Sequence, residues 1–137
     1  MSLDDCHDLV MHFHSSFGIP IGSVPTHLAT DRVIGRSRWL VEEVKEFGTA
    51  PSLLEQADAL IDIIYLALGG LVEIGVRPDA LFKIVHQSNM TKLNADGRPV
   101  LSEDGKVRKP SNWQSPSVEL ALEIERQVKE ASRSLVK

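Results

Sequence analysis

The chain has 137 residues, a single cysteine and a formal net charge of −4, enough length for one domain with a real core over residues 1–137. No broad basic field exists at a pI near 5.7, which excludes sequence-general binding to nucleic acid or to an anionic membrane and leaves small ligands or protein partners. Cys6 cannot form an internal disulfide, no secretory leader is expected, and the longest apolar run, interrupted by Asp62, falls short of the roughly 20 residues of a spanning helix, so the cytoplasm is the expected compartment.

A first helix is expected from about Asp4 to Phe17, with Leu9, Val10, Phe13 and Phe17 as its apolar stripe and Gly18 and Pro20 as its stop. Gly18–Leu28 reads as a turn-rich loop. The second helix starts near Thr30 or Asp31, either of which is a suitable N-cap, and ends at Gly48. Pro51 and Ser52 open the third helix and Gly75 terminates it after Ile74. The short turn between helices two and three favours an antiparallel pair, whose acids can then face one another. A fourth helix runs from Pro78 and Asp79 to about Lys92. From Asn94 to Ser115 turn formers dominate, with Pro99–Leu101 and Lys106–Arg108 as candidate short strands of a hairpin flap. A last amphipathic helix, Ser117–Val136, has Val118, Leu122, Val128 and Leu135 to set against the bundle or a partner subunit. The expected fold is an all-α antiparallel helical bundle with a hairpin-like loop before the C-terminal helix, and oligomeric.

The third helix carries the strongest chemical signal. It reads as apolar almost all round, yet Glu55, Asp58 and Asp62 fall within roughly 60° of one another at about 100° per residue. Carboxylates buried without partners are costly, so such a stripe calls for a positive partner, and Mg2+ is the natural candidate. Helix two adds Glu42, Glu43 and Glu46, spaced i,i+3 and i,i+4. Charged triplets on helices are usually solvated surface. Facing the third helix across an antiparallel seam, however, they complete an oxygen-rich cage of the kind hard divalent cations prefer.

Val85–Lys92 ends the fourth helix with an amide and an ammonium suited to phosphate oxygens, and the segment Gly105-Lys106-Val107-Arg108-Lys109-Pro110 puts three cations in a loop able to close over a triphosphate. Other features carry less. His7-Asp8 lacks the upstream histidine of an HD-type metal pair, and Lys83 stands where a di-iron bundle would need glutamate before His86. His12 and His14 read as surface or core histidines, Trp39 as core. Trp113 is suited either to stack on a nucleobase or to anchor the flap.

Four stretches together, Arg38-Trp39-Leu40-Val41-Glu42-Glu43-Val44-Lys45-Glu46, Asp58-Ala59-Leu60-Ile61-Asp62-Ile63-Ile64-Tyr65, Val85-His86-Gln87-Ser88-Asn89-Met90-Thr91-Lys92 and Asp104-Gly105-Lys106-Val107-Arg108-Lys109, carry a family resemblance. From about Val10 to Pro116 the chain resembles the all-α nucleoside triphosphate pyrophosphohydrolases, the MazG-like and phosphoribosyl-ATP-pyrophosphohydrolase-like superfamily. The resemblance implies cleavage of a nucleoside triphosphate between the α and β phosphorus atoms. It implies metal ligation by Glu43 and Glu46, completed by Asp58 and Asp62, with Glu42 orienting or deprotonating the attacking water. Position 59 is alanine, so the superfamily's Glu-x-x-Asp is met literally only by Glu55-x-x-Asp58, and Glu55 stays in reserve as a ligand. The metal implied is Mg2+, or Mn2+ in its place. Arg38, Asn89, Lys92, Lys106 and Lys109 are the implied substrate contacts, and a homodimer or homotetramer is the implied assembly. Hydrolysis of nucleotide-pool triphosphates, hydrolysis of phosphoribosyl-ATP and a non-catalytic helical nucleotide-binding or interaction module are the three functional expectations.

Overall fold

The computed structural model describes residues 1–136, in five helices: α1 (Leu3–Phe17), α2 (Thr30–Thr49), α3 (Leu53–Ile74), α4 (Asp79–Met90) and α5 (Ser117–Val136). No strand forms among the described residues. Where the flap was expected to hold two short strands there are single antiparallel bridges, Leu93 to Pro99 and Leu101 to Val107. The chain divides into two compact units, one of Met1–Pro78 with the chain from Gln127 onward, the other Asp79–Arg126. No single helix among the described residues is long and apolar enough to cross a membrane.

Capping sets the ends of α1 and α3. Ser2 Oγ accepts from the Asp5 N–H at 3.1 Å while Asp5 accepts from the Ser2 N–H at 2.6 Å, so α1 begins with a reciprocal cap. Ser52 Oγ accepts from the Glu55 N–H at 3.2 Å to open α3, and Gly75, at φ 75°, closes it in the left-handed conformation. The second helix departs from expectation: neither Thr30 nor Asp31 caps it, the N-cap is Ala29 with no side-chain cap bond, and the helix passes Gly48 to end at Thr49. α4 stops at Met90, and Thr91 and Lys92 follow in turns whose N–H groups bond to Ser88 and Asn89 carbonyls.

In the first unit α1 and α2 both pack on α3. Arg32, early in α2, meets Glu73, late in α3, whereas Glu43 lies in the field of Asp58, early in α3, and Glu46 borders a cavity with it, so the pair is antiparallel as expected. The apolar core of Val10, Leu68 and Val72, with Cys6, Met11 and Leu71 packed against it, lies under the C-terminal half of α3. The N-terminal half is not buried all round: Leu53, Leu54 and Ile61 are exposed, as is Ile64 just past the middle.

Against that core sits a buried polar network. Glu73 accepts from Arg32 Nε and Nη2 at 2.8 and 2.9 Å and from Arg36 Nε. Arg36 Nη1 also donates to the Leu66 carbonyl at 3.3 Å. His14 Nδ1 lies 2.9 Å from the Pro20 carbonyl, which can only accept, so the proton sits on Nδ1 and Nε2 faces Arg36 Nη2 at 3.4 Å as an acceptor. Gly69 makes room for this: a Cβ there would lie 2.9 Å from Arg36 Nη1. Trp39, expected in the core, is instead a half-exposed platform for the Arg36 and Arg32 guanidiniums, 5.4 and 5.7 Å from its ring.

Within the first unit Arg77 holds Gln127. Its backbone N–H donates to Gln127 Oε1 at 2.8 Å and its carbonyl accepts from Gln127 Nε2 at 3.1 Å, while its side chain reaches Asp8 at 3.0 Å and Asp4 at 3.3 Å. The hydrogen bond from Arg77 holds the Asp8 carboxyl below its usual range. Beside them His7 is buried with neither ring nitrogen hydrogen-bonded.

Candidate active site

The first unit brings the predicted metal-binding acids into one neighbourhood. Glu43 and Glu46 come from the last turns of α2, and Asp58 and Asp62 from the first half of α3. Glu43 is half-buried, and its Oε2 is closed off from solvent without a hydrogen-bond partner. Its carboxyl is raised above the ordinary range, first by desolvation and then by the charges of Glu46, Asp62 and Asp58, each of which disfavours a further anion. Glu46 and Asp58 also border a cavity of about 210 Å³ with Thr49, Ala50 and Glu55.

None of Glu43, Glu46, Asp58 and Asp62 has an ion-pair partner among the described residues. Nor, among those residues, is any group of three or more His, Cys, Asp or Glu side chains already arranged to hold a metal ion. Like-charged carboxylates without a counter-charge stand apart. The donor set nevertheless fits a hard divalent cation: Glu43 lies within the field of Glu46, Asp58 and Asp62, all four offer oxygen, and one buried oxygen lacks a partner. Glu55 differs from them, because its Oε1 accepts from Ser52 Oγ at 3.0 Å within the cap of α3. Glu42 and Arg38 are exposed on α2, and Arg38 makes no ion pair with the acids.

The predicted phosphate contacts other than Arg38 lie in the second unit. Asn89 is exposed on the last turn of α4 and Lys92 is half-buried just beyond it. Lys106 is exposed in a tight turn, where its N–H donates to Ser102 Oγ at 3.2 Å and to Asp104 Oδ1 at 3.3 Å. The Ser102 hydroxyl, then that N–H, hold the Asp104 carboxyl low. Lys109 Nζ lies 4.4 Å from the centre of the Trp113 ring, so one face of that tryptophan is already covered by a cation. Sequence reasoning missed the hydroxyls of Ser88 and Thr91, which fasten Gln114 to the end of α4. Their signal was present, since both flank Asn89 in the Ser-Asn-Met-Thr-Lys stretch.

Residues 10–89 match the family described as phosphoribosyl-ATP pyrophosphohydrolase. The chain belongs to that family. The match contains both acid clusters and stops short of Lys92, Lys106 and Lys109. A solved structure from Exiguobacterium sp. 255-15, described as a "putative NTP pyrophosphohydrolase", is 32% identical, with 91% of this chain and 96% of that one covered at a TM-score of 0.52. A comparison with curated proteins returns no match. As a member of this family the chain is a pyrophosphohydrolase, a hydrolase of phosphoric anhydrides.

Proposed function

We propose that the chain is a Mg2+-dependent nucleoside triphosphate pyrophosphohydrolase, releasing a nucleoside monophosphate and pyrophosphate. The observation that carries this reading is the partnerless buried oxygen of Glu43 among Glu46, Asp58 and Asp62. Those four residues would hold the metal, Mg2+ or Mn2+. Bound there, it would supply positive charge against the phosphate oxygens and the leaving pyrophosphate, and acidify water. Glu42, exposed beside Glu43, would accept a proton from the attacking water as its oxygen bonds to the α phosphorus and the bond from that phosphorus to the α,β-bridging oxygen breaks. Asn89, Lys92, Lys106 and Lys109 would grip the phosphates, with Arg38 as a further cation.

The description of the matched family favours phosphoribosyl-ATP as a second substrate reading, whereas the activity named for the Exiguobacterium protein favours nucleoside triphosphates. Pyrophosphate release across a panel of triphosphates and phosphoribosyl-ATP separates the two. Glu46→Gln is expected to lower Mg2+-dependent turnover by about 100-fold or more with helical circular dichroism unchanged. Full activity in that variant overturns the ligand assignment. A silent panel combined with no Mg2+-linked rise in melting temperature returns the chain to a non-catalytic module.

The assembly proposed is a homodimer or homotetramer. Leu53, Leu60, Ile61 and Ile64 form an exposed apolar stripe along α3, a surface that a second copy is suited to cover. Light scattering of Ile61→Glu beside the parent tests it, with a monomeric parent as the contrary result.

A further inference from the structure

We infer that Ser88, Thr91 and Trp113 are positioning residues that set where Lys109 stands. The inference rests on the reading of Lys109 as a phosphate contact. The Ser88 hydroxyl, on a residue only 8% exposed, donates to the Gln114 carbonyl at 2.6 Å. Thr91 Oγ1 accepts from the Gln114 N–H at 3.2 Å and donates to the Ser88 carbonyl at 2.7 Å. Both backbone polar groups of Gln114 are thus held by side chains from the last turn of α4 and the residue just beyond it, and the excursion from Lys92 to Trp113 is closed at its base. The residue next to this clasp is Trp113, half-buried with its Nε1 shut away from solvent, its N–H bonded to the Pro110 carbonyl at 3.0 Å and its ring beneath Lys109. A cation on an exposed loop samples many positions. One stacked on a ring whose neighbour is pinned at both backbone groups samples few, and an ammonium held in place beforehand loses less freedom on meeting a phosphate.

The Ser-Asn-Met-Thr-Lys stretch therefore divides its work: Ser88 and Thr91, three residues apart, hold the loop, while Asn89 and Lys92, also three apart, remain for the ligand. The arrangement also decides the role of Trp113. A ring with one face covered by Lys109 is placed to anchor the loop, the second of the two roles open to it from sequence, and to steer that cation as well.

Steady-state kinetics on the full-length protein, with the triphosphate or phosphoribosyl-ATP it cleaves fastest, test the inference through Thr91→Val, Thr91→Ser, Ser88→Ala and Lys109→Met. KM is independent of the fraction of enzyme that is folded, so it separates positioning from a loss of stable protein. Thr91→Val and Ser88→Ala are expected to raise KM about fivefold or more with kcat within about twofold, and Thr91→Ser, which keeps the hydroxyl, to stay near the parent. Thr91→Val combined with Lys109→Met is expected to raise KM by much less than the product of the single effects, because both act through one ammonium. A parental KM in Thr91→Val beside a raised KM in Lys109→Met overturns the clasp and leaves the phosphate contact standing. A parental KM in Lys109→Met overturns both. Hydrogen exchange supplies a reading without substrate: the Gln114 amide is expected to lose protection in Thr91→Val, and unchanged protection contradicts the clasp.

Discussion

The two ends of the α2–α3 pair treat carboxylates in opposite ways. At one end Glu73, with a side chain 1% exposed, lies between Arg32 and Arg36, and burial, which pushes its carboxyl upward, is outweighed by the hydrogen bonds those guanidiniums donate, leaving it low. At the other end Glu43 has the same side chain and the contrary shift, raised by desolvation and by Glu46, Asp62 and Asp58. Where the chain itself supplies the counter-charge, the carboxylate is part of the fold. Where four acids gather and the described residues supply none, the Glu43 carboxyl is raised instead, and the proposed cation is what would balance the charge.

The comparison breaks most readily at Glu73. Glu73→Gln leaves two arginines facing a neutral amide in a buried site, and urea denaturation is expected to show a loss of about 3–5 kcal/mol. A loss below about 1 kcal/mol would mean that the network contributes little.

A smaller effect, of opposite sign, is expected at the acid cluster. The Glu43 carboxyl holds its proton more tightly in the fold than in the unfolded chain, so its contribution is fully present below its ordinary value of 4.5 and is lost as pH rises through the raised one. At pH 8 without Mg2+, Glu43→Gln should therefore melt about 2–4 °C above the parent, and its gain on adding Mg2+ should shrink. A lower melting temperature in the metal-free variant would place Glu43 with Glu73 as a structural acid.

The smallest effect sharpens the contrast with a buried group that stays neutral. Desolvation, then the charge of Arg77, lowers the His7 imidazole, against the pull of Asp8 and Asp4. With a folded value below the unfolded 6.5, its stabilising contribution is present above that pH and is lost as pH falls toward the folded value. Between pH 7 and 5 the melting temperature should fall, and less steeply in His7→Leu. Parallel curves would exclude His7 as a source of the pH dependence.

Much of this molecule was legible before folding was considered. The ends of α3 follow from Ser52 and Gly75, those of α1 from the residues around Asp4 and Gly18, and the facing of the two acid clusters from helical spacing and a short turn, the choice of Glu43, Glu46, Asp58 and Asp62 within them coming from the family resemblance. Less legible were matters settled by distant partners. Trp39 sits on an apolar side of α2, yet Arg32 and Arg36 claim its ring because Glu73 draws both guanidiniums there. Leu53, Leu54, Ile61 and Ile64 promised a buried helix, but they stay exposed while Ala59, Leu68 and Val72 of the same helix are buried.

By itself, then, the sequence determined the five helices, the short link that sets α2 and α3 antiparallel and the residue types of the acid cluster, because capping, periodicity and turn chemistry act over a few residues. The tertiary structure alone decided which carboxylate meets guanidinium and which meets only other carboxylates. It also decided that Gln114 returns to Ser88 and Thr91, because these outcomes depend on groups far apart in the chain arriving at one place.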